Sequence, residues 1–167
     1  VETSLDQCMA QSLAVSGHRK ACLVDDNDQY MYKRAIHIPL DIESTYQASA
    51  MVSSMIIFNI ALAHHLSALA SNMHQSTKFK RAATLYQLAV DLQGATQLEN
   101  NFLFTMAAMN NLGVVYRQLE DKETATKCFQ HLLSTVMLLV DCGEAEVCRG
   151  ELDGFLRNVT HFDYSCG

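Results

Sequence analysis

Three histidines are the most obvious candidates for metal chemistry in this chain. His64 and His65 are adjacent, and His74 follows nine residues later. Adjacent residues on a helix project about 100° apart, so His64 and His65 cannot both face one ion without a large distortion. Histidines in a helix core or groove explain the pattern better, and we expect neither a metal nor a cofactor.

Cys128 and His131 are the best candidates for nucleophilic chemistry. Their i, i+3 spacing on a helix could pair a thiolate with an imidazole. No orienting acid or oxyanion donor is evident nearby, and Cys128 precedes the apolar Phe129, which favours a structural cysteine. The sequence has no phosphate-binding glycine loop, nucleophile elbow or zinc signature. We therefore predict that the protein is not an enzyme.

The remaining polar clusters also have structural explanations. The acidic run 25–28 lacks the glycine and the final glutamate of a calcium loop, so it predicts a solvated turn. Asn158-Val159-Thr160 fits the glycosylation sequon, a triplet that is frequent by chance. The six cysteines form no CxxC pair and suit free thiols in a reducing compartment, with a Cys142–Cys148 disulfide as the alternative.

Length and composition favour a single helical domain. The chain has 167 residues, of which 49% are hydrophobic and 18% charged, which argues against disorder. One proline and seven glycines favour long helices over a turn-rich β fold. The net charge of −6 disfavours nucleic acid as a partner, and no basic run favours a membrane surface. We expect an intracellular protein, because the cysteines suit a reducing compartment. It could be cytoplasmic or organellar, since a targeting segment could have been removed.

The longest predicted helix begins at Asp41 or Ser44 and runs to about Ala70. The stretch from Ser44 to Ala63 contains no charged residue, which raises the alternative of a membrane span. Several serines and an asparagine make this stretch too polar for a typical span, and no basic cluster flanks it. The sequence therefore predicts a buried central helix.

A later stretch predicts a pair of packed helices. It reads Met109-Asn110-Asn111-Leu112-Gly113-Val114-Val115-Tyr116 and is followed by Ala125, Phe129 and Leu132. Gly113 permits close approach of a second helix, and Leu112 and Tyr116 share one helical face. Asp121 is expected to cap the second helix. This pattern resembles a tetratricopeptide repeat, a helix–turn–helix unit of about 34 residues.

An earlier stretch repeats this pattern with an insertion. Ile60-Ala61-x-x-His64 matches Leu112-Gly113-x-x-Tyr116, and Ala82-x-x-x-Tyr86-x-x-Ala89 matches the second helix. Ala61 and Ala82 are nine residues further apart than their counterparts, which we attribute to longer helix ends and a polar loop. Two repeats are fewer than an independent solenoid needs, so flanking segments should cap them.

The flanking segments complete the predicted architecture. Residues 29–39 alternate as a β-strand does, and they could pair with 21–24 in a hairpin. We predict an all-α fold of stacked tetratricopeptide-like hairpins with a short N-terminal β-hairpin or extended arm. The single domain 1–167 would comprise the arm (1–42), two hairpins (43–141), and a capping helix with a tail (142–167). The arm itself could occupy the binding groove.

The resemblance implies a protein-binding role. In tetratricopeptide repeats, an asparagine just before the Leu-Gly pair often holds the backbone of an extended ligand, and Asn59 and Asn111 stand at these positions. Asn110, Arg117 and His65 would line the same face. The alternative is that the asparagines bond neighbouring helices. In that family, clamping of a ligand's C-terminal carboxylate needs a lysine at the position where this chain has Phe58, so we do not expect that specialised function. The sequence is also similar to helical-repeat proteins of diatoms, a likeness that implies no function.

The functional hypothesis is a non-catalytic interaction or scaffold module that binds a protein or peptide on the first helices of its repeats. The first alternative is a structural subunit of a homo-oligomer or a larger complex. The second is an enzyme of unrecognised type, or a metal or redox protein that uses the cysteines and histidines.

Overall fold

The regular structure of the described residues is helical. The computed structural model describes residues 29–38, 45–71, 73–94, 102–143 and 149–163. These ranges contain five helices: α1 (Tyr46–Leu69), α2 (Gln75–Gly94), α3 (Phe102–Gln118), α4 (Lys122–Asp141) and α5 (Arg149–Asp163). The predicted all-α class is confirmed, as the scarcity of proline and glycine led us to expect.

Contacts within the chain divide it into two compact units. Of the described residues, the first unit contains 33–38, α1 and α2, and the second contains 29–32 and α3 to α5. The division of the chain into one domain with an arm at 1–42 stays a prediction. Of the described arm residues, 29–32 belong to the second unit and 33–38 to the first.

The first unit is a helical hairpin built on the apolar side of α1. Thr45 caps α1, since its side-chain oxygen accepts a hydrogen bond from the Ala48 N–H at 3.1 Å. The helix thus begins slightly later than predicted. Its buried stripe packs on α2, where the rings of Phe58 and Tyr86 meet edge to face with centroids 5.4 Å apart. The stripe comprises Met51, Met55, Phe58 and Leu62.

Helix α1 is long and apolar enough to cross a membrane, judged by length and composition alone. It is the only such helix among the described residues, and 39% of its most apolar window is buried inside the protein. The core helix of a soluble protein meets the same criterion. Helix α1 packs on α2, and its role as a buried central helix stays a prediction.

The second unit is a three-helix core in which α3 is the most extensively buried helix. Residues 106–115 of α3 are all buried, and both α4 and α5 pack against this helix. A Cβ atom added to Gly113 would lie 2.8 Å from the Phe129 ring, so the absent side chain lets α4 approach closely. Asp121 caps α4 as predicted, accepting from the Thr124 N–H at 3.0 Å.

The longer first hairpin reflects the predicted insertion. Its connection covers residues 70–74, whereas that of the second hairpin covers 119–121. Helix α1 continues eight residues beyond Ala61, but α3 continues only five beyond Gly113. Helix ends and connection are therefore both lengthened, without disturbing the small residue inside each hairpin.

The N-terminal arm is not a β-strand where the structure describes it. Residues 29–38 have neither helical nor strand structure. The strand prediction is not confirmed for this segment, whose main-chain groups bond to asparagine side chains, an arrangement that fits the predicted alternative of an extended arm. The proposed partner strand 21–24 and the turn 25–28 lie outside the described residues.

The predicted C-terminal capping helix is α5, a continuous helix of 15 residues in which Phe155 is buried. Leu156 is 37% exposed, while the polar Asn158 is buried. The buried face of α5 therefore contains Phe155 and Asn158. The amide of Asn158 can be buried because it is hydrogen-bonded to the backbone of Tyr30. The residues after 163 lie outside the described part.

Candidate functional site

The Asn111 side chain binds both main-chain groups of one residue in the N-terminal segment. Its Oδ1 accepts from the Tyr32 N–H and its Nδ2 donates to the Tyr32 carbonyl, each at 2.9 Å. In an extended chain the N–H and C=O of one residue point to the same side. The amide therefore occupies the place of a neighbouring β-strand, and Asn111 and Tyr32 are both buried.

Asn59 makes the same pair of bonds in the first unit. Its Oδ1 accepts from the Ile36 N–H and its Nδ2 donates to the Ile36 carbonyl, each at 2.8 Å. Asn59 is half-buried, and Ile36 is buried. An open cleft next to Asn59 is lined by Ile38, Ile56, Ile60, Ala63, His64 and Ser67. The two asparagines that the sequence placed at equivalent positions thus make equivalent bonds to the protein's own chain.

Asn158 makes a third bond pair of this kind, which the sequence did not predict. Its Oδ1 accepts from the Tyr30 N–H at 2.9 Å, and its Nδ2 donates to the Tyr30 carbonyl at 2.6 Å. The same Nδ2 lies 2.7 Å from Asn110 Oδ1, and Asn110 Nδ2 donates to Tyr30 O and to Asn111 Oδ1. Asn110, Asn111 and Asn158 therefore form one buried network in which each amide is hydrogen-bonded.

The side chain of Tyr30 is held by α5. A Cβ atom at Gly154 would lie 2.5 Å from the Tyr30 ring, so this ring occupies the space of an absent side chain. The ring meets Phe155 edge to face with centroids 5.4 Å apart, and the Tyr30 hydroxyl donates to Glu151 Oε2. Tyr32 stacks on the same phenylalanine at 6.2 Å. One short stretch of α5 thus contacts both tyrosines.

His65 does not line a binding face, contrary to the prediction. It is fully buried between α1 and α2, where its Nδ1 lies 3.5 Å from the Tyr86 hydroxyl and its ring meets Phe79. Nε2 has no hydrogen-bond partner among the described residues. Burial, helped by the charge of Lys33, lowers the pKa of His65 to about 3, so the imidazole is neutral.

Arg117 is only partly available to a partner. It stands six residues after Asn111, as His65 stands six residues after Asn59, and it is half-buried. Its Nη1 is buried and has no hydrogen-bond partner within the described part of the chain. Desolvation lowers the pKa of this guanidinium. The equivalent positions of the two hairpins therefore both hold a nitrogen-containing side chain, which is buried at His65 and half-buried at Arg117.

The cysteine and histidine candidates show no arrangement for catalysis in the described residues. Cys128 is buried, and burial together with Asp121 raises the pKa of its thiol to about 11, which keeps it protonated. Its predicted partner His131 is exposed. Cys142 is a free, exposed thiol, and Cys148 lies outside the description. No three His, Cys, Asp or Glu side chains of the described ranges converge as metal ligands.

Two residues of this arrangement escaped the sequence analysis. Asn158 was considered only as part of a sequon, yet it is 1% exposed and its amide is fully engaged. Gly154 was not noticed. The sequence did contain an indication of their role. Asn158 lies three positions after Phe155 and four after Gly154, so it shares a face of α5 with that glycine.

Comparison with known proteins adds no relative. No protein-family model, curated protein or solved structure matches the chain. The tetratricopeptide resemblance therefore remains a prediction from the residues quoted above.

Proposed function

We propose that this protein is a non-catalytic interaction module that holds an extended polypeptide through asparagine side chains on the first helices of its two hairpins. The observation that carries the proposal is the matched pair of bonds made by Asn59 and Asn111. Each amide bonds the N–H and the C=O of one residue in an extended backbone. The tetratricopeptide-like pattern around both asparagines supports the same role.

The chemistry of this contact suits capture of many sequences. An asparagine amide donates and accepts at once, so it can bind a peptide group without reading the side chain. In the present structure the bound backbone is the chain's own segment 29–38. A partner with an extended segment offers the same N–H and C=O groups, and it would have to replace this segment.

The experiment compares capture of partners from native extract by the wild-type protein and by the Asn59→Ala, Asn111→Ala double variant. We expect the double variant to lose partners that the wild type retains. Gln87→Ala, which removes an exposed amide on α2, is the control and should retain them. Circular dichroism must show that the variants remain folded. Equal capture by folded wild type and double variant would contradict the proposal.

A structural role in a homo-oligomer is the second candidate. Leu133, Met137 and Val140 recur at i, i+4 and i+7 on α4, and Met137 and Val140 are 59% and 55% exposed. Such a row is typical of a face that packs on another helix, here that of a second copy. Size-exclusion chromatography with light scattering tests this candidate. A dimer that Met137→Lys converts to monomer would support it, and a wild-type monomer at high concentration would eliminate it.

A further inference from the structure

We infer that the second unit contains a receptor site for an extended Tyr-x-Tyr segment, which this chain fills with its own Tyr30 and Tyr32. A partner protein that carries an unphosphorylated Tyr-x-Tyr segment binds there by replacing residues 29–32. This inference rests on the proposed function and specifies the class of partner. All residues of the site belong to the second unit.

The first position of the site selects tyrosine by shape and by polarity. Asn158 bonds the backbone of Tyr30, and the ring fits only because Gly154 has no side chain. The hydroxyl donates to the Glu151 carboxylate. Phenylalanine would leave that acceptor without this donor. A phosphate on the ring would face the carboxylate and be repelled by it.

The second position selects an aromatic residue by packing. Asn111 bonds the backbone of Tyr32, whose ring stacks on Phe155 with an angle of 22° between the ring planes. Tyr32 is 1% exposed. Side chains two residues apart lie on one face of an extended chain, so both tyrosine rings reach the same phenylalanine. The spacing of the pair is therefore part of the recognition.

The contacts do not depend on the covalent link between the segment and the unit. The hydrogen bonds and ring contacts given above join the second unit to peptide groups, to two tyrosine rings and to a hydroxyl, all of which any extended Tyr-x-Tyr peptide carries. Residues 29–32 are not part of a helix or sheet that would have to unfold on exchange. The chain's own copy has the advantage of a high effective concentration, which a competing segment must overcome.

The test uses the full chain with Tyr30→Ala and Tyr32→Ala, which empties both ring positions and leaves the chain's own segment to compete only through its backbone bonds. A fluorescent peptide of residues 29–38 is added, and binding is followed by anisotropy. We expect this variant to bind the peptide at least about tenfold more tightly than the wild type, whose own segment competes. A peptide phosphorylated at its first tyrosine should bind at least about tenfold more weakly than the unmodified peptide.

Two glycines of α5 supply a matched pair of variants. Adding Gly154→Ala to the emptied chain should abolish peptide binding, because the new Cβ occupies the ring position. Gly150→Ala should leave binding unchanged, because a Cβ there meets no atom within 4 Å. Binding that survives Gly154→Ala would overturn the inference, as would the absence of binding to a folded, emptied chain.

Further variants separate this inference from the proposed function. A peptide with leucine in place of both tyrosines that binds as tightly as the original would overturn the Tyr-x-Tyr specificity, while leaving backbone capture standing. Peptide binding that is unaffected by Asn111→Ala in the emptied chain would instead contradict backbone capture and leave the aromatic contacts standing.

A second measurement applies if the emptied chain does not fold. Trypsin cuts after Lys33 and Arg34, next to the proposed site. In the otherwise wild-type chain, Gly154→Ala should accelerate this cleavage severalfold relative to Gly150→Ala, because the segment is released. An excess of a free peptide of residues 29–32, which has no trypsin site, should likewise accelerate cleavage of the wild type. Equal cleavage rates in the two glycine variants, with no effect of the peptide, would overturn the inference.

Discussion

The two hairpins place an asparagine at the same position but surround it differently. Asn59 in α1 is half-buried and is preceded by Phe58, which packs on Tyr86. Asn111 in α3 is buried and is preceded by Asn110, which belongs to a three-asparagine network. The first hairpin therefore uses the preceding position for its core, whereas the second uses it to bind the segment.

This difference determines what each asparagine contributes to stability. A half-buried amide leaves water able to replace it at the backbone groups it binds, so its loss should be tolerated. A buried amide has no such substitute, and its removal leaves the groups around it without partners. The second unit should therefore hold its part of the segment more tightly than the first. Four predictions test this comparison.

Asn111→Ala should have the largest effect. The substitution removes the Asn111 partners of two buried groups, the Tyr32 N–H and the Tyr32 C=O. Each lost hydrogen bond in this environment costs about 1–3 kcal/mol. We expect the free energy of unfolding to fall by about 3–4 kcal/mol, measured by urea denaturation with circular dichroism. Gln87→Ala is the exposed control and should be nearly neutral. A loss as small as that of the control would show that the network is not important for stability.

Acidification should distinguish the hairpins through His65, whose counterpart in the second hairpin is Arg117. The pKa of His65 is about 3 in the folded protein and ordinarily 6.5, so between these values the unfolded chain binds the extra proton. The contribution of neutral His65 to the free energy of unfolding is therefore fully present above pH 6.5, and it decreases as the pH falls toward 3. At pH 4.5 the loss should be about 2–3 kcal/mol relative to neutral pH.

The measurement compares urea unfolding at pH 7.5 and pH 4.5 in wild type and in His65→Leu. Other groups also titrate, so the informative quantity is the difference between the two proteins. On acidification, His65→Leu should lose about 2–3 kcal/mol less stability than the wild type does. The same acid dependence in wild type and His65→Leu would contradict the prediction.

Gly113→Ala should have an intermediate effect. Its Cβ would lie 2.8 Å from the Phe129 ring, whereas Ala61 at the equivalent position of the first hairpin already has a Cβ and is fully buried. Overpacking, partly offset by the higher helix propensity of alanine, should cost about 1–2 kcal/mol. Gly94→Ala is the control, because a Cβ there meets nothing within 4 Å. Thermal unfolding that is the same for Gly113→Ala and wild type would refute the close packing.

Asn59→Ala should have the smallest effect. The bonds to Ile36 are as short as those of Asn111, but Asn59 is half-buried and water can replace its amide. We expect a loss of about 1 kcal/mol in the same urea experiment. If Asn59→Ala proved as costly as Asn111→Ala, burial would not explain the difference between the hairpins.

The local sequence was sufficient to predict the helices and much of the packing within each hairpin. Apolar residues at helical spacing marked α1, and Gly113 with Ala125, Phe129 and Leu132 marked the contact between α3 and α4. The cap at Asp121 followed from residue type and position. These features depend on residues that are close along the chain or at fixed spacings, so a single sequence contains their signal.

The alternation in 29–39 was informative but was assigned to the wrong partner. An extended backbone does expose N–H and C=O groups of alternate residues on one side, as the bonds to Tyr30 and Tyr32 require. A second strand is the commonest acceptor of such groups, and nothing in the local pattern indicates that asparagines on helices replace it. The same limitation affected His65, because its spacing fitted a binding face as well as a core.

The sequence by itself determined the helical class, the two helical hairpins and the positions of Asn59 and Asn111. Only the tertiary structure decided what these asparagines bind, that Asn158 makes a bond pair of the same kind, and that His65 is buried. The physical reason is distance along the chain. Tyr30 and Asn158 are separated by 128 residues, and their pairing depends on the space over Gly154 and on the acceptor at Glu151. No local periodicity encodes such a contact, because it arises only when the second unit folds and brings these residues together.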